Sequence, residues 1–80
     1  MLKIFIVDDE RIVRESLLHW FQEDGYFVET AEDAEKALQM FEKGKYDVIL
    51  LDMKMPGMSG LELLVKLKQI DKDAIVILIT

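Results

Sequence analysis

Four short apolar runs, each of strand length, are the feature that most constrains the fold of this chain. They cover residues 2–7, 26–30, 46–51 and 74–79. The first, third and fourth are rich in consecutive aliphatic residues, which is typical of parallel strands covered on both faces. The second carries Glu29 and Thr30, a composition tolerated at an exposed edge. The sequence therefore predicts three central strands and one edge strand.

The segments between these runs show helical periodicity. In residues 10–24, the spacing i, i+4, i+7 and i+8 predicts a helix whose buried face carries Val13, Leu17, Trp20 and Phe21, and Gly25 supplies the stop. A second stripe, ended by Gly44, consists of Ala34, Ala37, Leu38 and Phe41. A third, which reaches Ile70, consists of Leu61, Leu64, Val65 and Lys68. The order β-α-β-α-β-α-β predicts a doubly wound, mostly parallel α/β sheet with helices on both faces.

Composition limits what such a domain does. Eighty residues hold one modest core, and the chain has no cysteine for a disulfide framework or a thiolate zinc site. The net charge of −6 repels phosphate backbones, so we expect no direct nucleic-acid binding and instead a cation or a basic partner. The apolar runs are far shorter than the roughly eighteen residues that span a bilayer, and no leader pattern is visible. We therefore expect a cytoplasmic protein that does not insert into a membrane.

Three carboxylates directly follow two of the predicted central strands. Asp8 and Asp9 follow the first strand, and Asp52 follows the third. Ligands of open α/β sheets bind at the carboxyl ends of the strands, and like charges that meet there need a cation or a proton between them. A few carboxylates with water favour Mg²⁺. Because Thr80 ends the fourth strand at the same edge, the pattern suits phosphoryl transfer.

Simpler interpretations of the same residues stay open. Asp8 or Asp9 also fits the N-cap of the helix that follows. His19 has no second imidazole near it in the sequence, and we expect it at the surface. The methionines between Asp52 and Gly60 are expected to pack within their loop.

Three stretches of the chain resemble the receiver domain of two-component response regulators. They read I-F-I-V-D-D-E, V-I-L-L-D-M-K-M-P-G-M-S-G and I-V-I-L-I-T, with Asp52, Pro56 and Gly60 at four-residue steps. The resemblance implies a flavodoxin-like sheet of order 2-1-3-4-5, of which residues 1–80 would be the N-terminal part with strands in the order 2-1-3-4. The region from Asp52 to Thr80 most resembles receivers of sigma-54 activators and sporulation phosphorelays, which implies regulation of transcription.

The resemblance also implies a mechanism. Asp52 would accept a phosphoryl group from a sensor histidine kinase or a phosphotransfer protein, with no turnover of a separate substrate. The implied magnesium ligands are Asp8, acting mainly through water, Asp9, Asp52 and the backbone carbonyl of Lys54. Thr80 and the amide of Met53 would hydrogen-bond the phosphoryl group. Pro56 and Gly60 would shape the loop without reacting.

The family's fifth strand, with its lysine, does not follow the fourth run in this sequence. We therefore expect the 80 residues to carry the nucleophile and the metal site without a competent switch. We also expect a homodimer or a swapped oligomer through the open edge of the fourth strand.

Three other functions are weighed against the receiver. A phosphatase of the haloacid-dehalogenase kind needs D-x-D after the first strand, but Glu10 stands two places after Asp8. A flavodoxin-type cofactor carrier needs a Ser/Thr/Gly-rich loop there, which the sequence lacks. A receiver-like module that acts through protein contacts alone has the same residues. In an Asp52→Asn variant, loss of phosphodonor labelling would support the acceptor role, whereas unchanged partner binding would favour the module.

Overall fold

The computed structural model of the chain describes residues 1–79, so Thr80, one of the predicted site residues, lies outside the described residues. The elements, in chain order, are β1 (Lys3–Val7), α1 (Arg11–Glu23), β2 (Phe27–Ala31), α2 (Ala34–Met40), β3 (Val48–Asp52), α3 (Gly60–Ile70) and β4 (Ile75–Ile79). None of the helices within residues 1–79 combines the length and the apolar character needed to cross a bilayer.

The four strands form one parallel sheet in the order β2-β1-β3-β4. This confirms the predicted flavodoxin-like order and the predicted edge position of β2. Strand β4, predicted as a central strand, pairs only with β3 among the described residues and lies at the other edge. Val7, the last residue of β1, lies opposite Ala31 on one side and Leu51 on the other. The carboxyl ends of β1 and β3 therefore lie side by side, and the residues that follow them reach the same edge of the sheet.

Helices cover both faces of the sheet, as the unbroken apolar strands predict. On one face, α2 and α3 enclose the larger core, whose fully buried side chains include Phe5, Val7, Ile49, Leu51, Leu63 and Leu67. On the other face, α1 covers a smaller cluster of Ile4, Ile6 and Val28. The predicted core positions of β1 and β3 thus divide between two layers, because successive side chains of a strand point to opposite faces.

The prediction that Trp20 lies on the buried face of α1 is wrong, because this side chain is 67% exposed. The α1 residues that pack against the small cluster are Leu17, Leu18 and Phe21. With about 100° between successive residues, the centre of this face lies near Phe21, roughly 100° around the helix axis from Trp20. The i, i+4, i+7 pattern was compatible with two faces, and packing against the sheet selects the one that includes Leu18. His19 is exposed, as expected.

Helix α2 ends earlier than its apolar stripe predicts. Met40 is its last residue, and Phe41 adopts an extended backbone with φ −74° and ψ 133°. The Phe41 ring lies 6.3 Å from the ring of Tyr46, which itself stacks on Phe5 at 4.4 Å. Phe41 is therefore buried in the core, as its spacing suggests, but it reaches the core from the residue that caps the helix. The predicted stop, Gly44, lies in the turn that follows.

The stripe predicted for α3 is not the face that this helix buries. Leu61 and Val65 of that stripe are 52% and 57% exposed, and Lys68 is also exposed. Leu63 and Leu67 are fully buried instead. Packing against the sheet therefore selects the face that carries Leu63 and Leu67.

Candidate functional site

Asp8, Asp9 and Asp52 meet at the carboxyl edge of the sheet. Asp52 is the last residue of β3, and Asp8 follows β1 in the neighbouring position. One carboxylate oxygen from each of the three lies within 4.8 Å of the others. The structure thus brings together three acidic side chains from two distant parts of the chain.

Asp8 does not act as the cap of the helix that follows it. The N-cap of α1 is Glu10, whose side chain makes no capping hydrogen bond. Asp8 is only 6% exposed, and its Oδ1 accepts a hydrogen bond of 2.9 Å from the Glu10 amide. Its own amide donates to the Ala31 carbonyl oxygen at 3.2 Å. The Asp8 backbone is therefore tied to β2, and its carboxylate is held in a local turn at the edge of the sheet.

Asp52 is held by the loop that begins after it. The half-buried Asp52 carboxylate accepts a hydrogen bond of 3.0 Å from the Lys54 amide, and the Lys54 side chain is exposed. The Met53 amide, which the resemblance assigns to a phosphoryl group, donates instead to the Ile79 carbonyl oxygen at 3.0 Å. This hydrogen bond joins the start of the loop to the end of β4.

The loop after Asp52 comes back close to Asp52 where α3 begins, and this close approach requires glycine. The Gly60 amide donates to the Met53 carbonyl oxygen at 3.0 Å. A Cβ added at Gly60 would lie 2.6 Å from the Met53 Cα and closer still to the Asp52 carbonyl oxygen. Ser59 caps α3 by accepting from the Glu62 amide at 3.2 Å. The S-x-x-E pattern and Gly60 together fix where the loop ends.

The three carboxylates have no basic side chain as a partner within residues 1–79, where the ion pairs are Arg11–Glu15 and Lys45–Glu29. Their mutual repulsion is therefore not balanced by an ion pair among these residues. Closely spaced carboxylate oxygens at an open edge, with room for water, are the donor set that Mg²⁺ prefers. The residues present fit a magnesium ion.

An open cavity of about 350 Å³ borders the acids on the α1 side of the sheet. It is lined by Asp8, Glu10, Val13, Leu17, Leu50, Asp52 and Ile79. Of the three acids, Asp8 and Asp52 thus border open space beside α1.

One residue at this edge was missed by the sequence reasoning. Arg14 Nη1 donates to the Asp8 carbonyl oxygen at 2.8 Å. The available signal was its place on α1, one turn before Leu17 and Leu18 and therefore on the side that faces the sheet.

Comparisons with known proteins agree with this arrangement. The family model of the response regulator receiver domain matches residues 4–80. Among curated proteins, the chain is 42% identical over 78 residues to sporulation initiation phosphotransferase F of Bacillus subtilis, covering 98% of this chain and 63% of that protein. It is 37% identical over 79 residues to response regulator MprA of Mycolicibacterium vanbaalenii, covering 99% of this chain and 34% of that protein. The chain thus spans less than two thirds of the length of these relatives.

Solved structures give the same result. Response regulator TrrA of Thermotoga maritima, in complex with Mg²⁺-BeF, superimposes with a TM-score of 0.90 at 47% identity over 98% of this chain and 68% of that one. The structure of histidine kinase ThkA in complex with TrrA gives a TM-score of 0.91 at 48% identity over 100% of this chain and 69% of the matched chain. The sheet order, the matched family model and these relatives together show that the chain belongs to the response regulator receiver domain family.

Proposed function

We propose that Asp52 of this receiver domain accepts a phosphoryl group from a phosphohistidine of a sensor histidine kinase or a phosphotransfer protein. The observation that carries the proposal is the meeting of Asp8, Asp9 and Asp52 at one edge of the sheet without a basic partner among residues 1–79. Of the three, Asp52 lies at the end of β3, half-buried and bordering the open cavity.

The named relatives support both the metal and the partner. TrrA, which is 47% identical to this chain, forms a complex with Mg²⁺-BeF, and TrrA also forms a complex with the histidine kinase ThkA. By this similarity we propose Mg²⁺ as the cofactor and a histidine kinase as the partner. We infer a cytoplasmic location from the acidic composition and from the absence of cysteine.

In the proposed step, a carboxylate oxygen of Asp52 attacks the phosphorus atom. A bond from phosphorus to oxygen forms as the bond from phosphorus to the imidazole nitrogen breaks, and the electron pair stays on the imidazole. The product is an acyl phosphate on Asp52 and a free histidine on the partner. The Lys54 amide orients the attacking carboxylate through its hydrogen bond to Oδ1.

The proposed magnesium ligands are Asp8, through water, Asp9, Asp52 and the backbone carbonyl of Lys54. When bound, Mg²⁺ neutralises charge on the phosphoryl oxygens and brings them to the nucleophile. Thr80, which follows β4 in the sequence, is proposed to donate a hydrogen bond to the phosphoryl group. Regulation of transcription stays a prediction from the sequence.

We further propose that residues 1–80 are the N-terminal part of a receiver domain and that this polypeptide associates with itself through β4. The first statement is supported by coverage, because the chain spans 63% of sporulation initiation phosphotransferase F and 68% of the matched TrrA chain. The second is supported by the apolar side chains of Ile75 and Ile77 on β4, which are 58% and 50% exposed.

The phosphoacceptor is tested by incubating the chain with Mg²⁺ and a small phosphodonor and recording its intact mass. We expect less than one equivalent of phosphoryl group to be added to the parent chain, because the lysine that the resemblance places after a fifth strand is not among residues 1–80. We expect none to be added to Asp52→Asn, because the amide is not a nucleophile of this kind. Asp24→Asn, the same change at an exposed aspartate at the end of α1, is the matched control and should be labelled like the parent. Labelling of Asp52→Asn, or no labelling of the parent, would contradict the proposal.

A further inference from the structure

Arg14 connects helix α1 to the turn that carries two of the three acids. Its Nη1 donates to the Asp8 carbonyl oxygen at 2.8 Å, and the side chain is only partly exposed. A hydrogen bond from a charged guanidinium is shorter and stronger than one between neutral groups. Arg14 therefore holds the backbone of the residue whose carboxylate enters the acidic cluster.

The turn from Asp8 to Glu10 has few other ties to the rest of the domain. On the β2 side, the Asp8 amide donates to Ala31. Within the turn, the Glu10 amide donates to the Asp8 carboxylate. The Glu10 carbonyl oxygen accepts a main-chain hydrogen bond of 3.0 Å from the Arg14 amide of α1. On the α1 side, the N-cap makes no side-chain hydrogen bond. Among the described residues, the side-chain hydrogen bond that joins α1 to this turn is therefore the one from Arg14.

The direction of the Arg14 side chain is also informative. Its hydrogen bond goes to a main-chain carbonyl, and among residues 1–79 the guanidinium forms no ion pair with the three acids. The carboxylate oxygens thus stay available to a cation while the main chain beneath them is held.

We infer that Arg14 is a positioning residue that keeps the Asp8–Asp9 turn in the geometry needed to bind Mg²⁺. The inference rests on the magnesium site of the proposed function and adds a residue that touches neither the metal nor the phosphoryl group. Residues that orient metal ligands in this way commonly affect the affinity for the metal by about 10- to 100-fold.

The charge of Arg14 acts in the opposite direction to this positioning role. A positive charge near the site repels Mg²⁺, so removing it should tighten binding if charge were its only contribution. If positioning dominates, removing Arg14 weakens binding although a repelling charge is lost. The sign of the change therefore separates the two explanations.

The test compares Arg14→Gln with Arg11→Gln by calorimetric titration with Mg²⁺. Arg11 lies on the same helix, is highly exposed and pairs with Glu15, so its substitution removes the same charge without changing the turn. We expect Arg14→Gln to weaken Mg²⁺ binding by about tenfold and Arg11→Gln to leave it unchanged or slightly tighter. Unchanged or tighter binding by Arg14→Gln would overturn the inference.

A second readout does not depend on the metal. In metal-free protein, amide hydrogen exchange at Glu10 should be faster in Arg14→Gln than in the parent and in Arg11→Gln, whereas exchange within β1 should be unchanged. Equal exchange at Glu10 would overturn the inference. If Arg14→Gln fails to fold, Arg14→Met, which keeps the aliphatic stem, replaces it in both measurements.

The two proposals fail in different ways. If the parent chain does not bind Mg²⁺, the proposed metal site fails, and the exchange measurement alone decides the role of Arg14. If the parent binds Mg²⁺ and Arg14→Gln binds it equally well, the role of Arg14 fails and the metal site stands.

Discussion

Tyr46 shows how a single buried polar group is accommodated in the larger core. Its ring stacks on Phe5, and its hydroxyl donates to Glu29 Oε1 at 2.6 Å. Burial, first of all, and then the hydrogen bond and the negative charge of Glu29 raise the pKa of Tyr46 above its ordinary value. The folded state therefore keeps the Tyr46 proton at a pH at which the unfolded chain releases it.

The raised pKa of Tyr46 predicts how the stability of the domain depends on pH. Because the pKa is raised on folding, the stabilisation by the protonated tyrosine is complete below about pH 10, the ordinary pKa, and is lost as the pH rises above that value. We expect the free energy of unfolding of the parent chain to fall more steeply above about pH 10 than that of Tyr46→Phe. Urea unfolding of both proteins at neutral and alkaline pH measures the difference, and equal slopes against pH would contradict it.

Helix α3 contributes buried side chains to the core, and it begins where the loop after Asp52 ends. Leu63 and Leu67 are fully buried against the sheet, and Leu61 on the same helix is 52% exposed. Ser59 and Gly60 begin the helix next to the loop. The apolar face of α3 thus anchors the chain segment that holds the Asp52 carboxylate.

The loss of stability on shortening a leucine of α3 should therefore depend on the face of the helix that carries it. We expect Leu63→Ala to lower the free energy of unfolding by about 2–5 kcal/mol because it leaves a cavity in the core. Leu61→Ala, the same change at an exposed position, should alter stability by less than about 0.5 kcal/mol. Urea unfolding measures both, and similar losses for the two variants would contradict the packing described for α3.

The helices also show where periodicity is ambiguous. Residues of α1 form two overlapping apolar stripes, one with Trp20 and one with Leu18, and only the position of the sheet decides between them. Helix α2 ends at Met40 because Phe41 reaches Tyr46 from an extended backbone. A pattern of side chains records which residues are apolar, but it does not record the partner against which they pack.

The sheet as a whole is asymmetric in how its edges are protected. Edge strand β2 carries Glu29 and Thr30, which disfavour pairing with another chain. On the other side, β4 pairs with β3, and its exposed residues are isoleucines. This second edge is the surface through which the proposed self-association would occur.

We expect sedimentation of the 80-residue chain to show a dimer or larger species whose fraction rises with concentration. Ile77→Lys should shift the chain toward monomer, because a charged side chain on an edge strand opposes pairing. Ile12→Lys changes an isoleucine that is 79% exposed on α1 and should leave the association unchanged. A parent chain that remains monomeric at high concentration would contradict the prediction.

The sequence by itself determined the order of elements, the edge position of β2 and the presence of acids at the carboxyl ends of two apolar runs. These are local properties, since strand and helix periods and the residue that follows a strand can be counted along the chain. The family resemblance added that β1 and β3 are neighbours. Only the tertiary structure decided the register that brings the three acids together, the exposure of Trp20 and the hydrogen bond from Arg14 to the Asp8 carbonyl. These depend on contacts between residues far apart in sequence or on different elements, and no local pattern encodes the partner of a side chain.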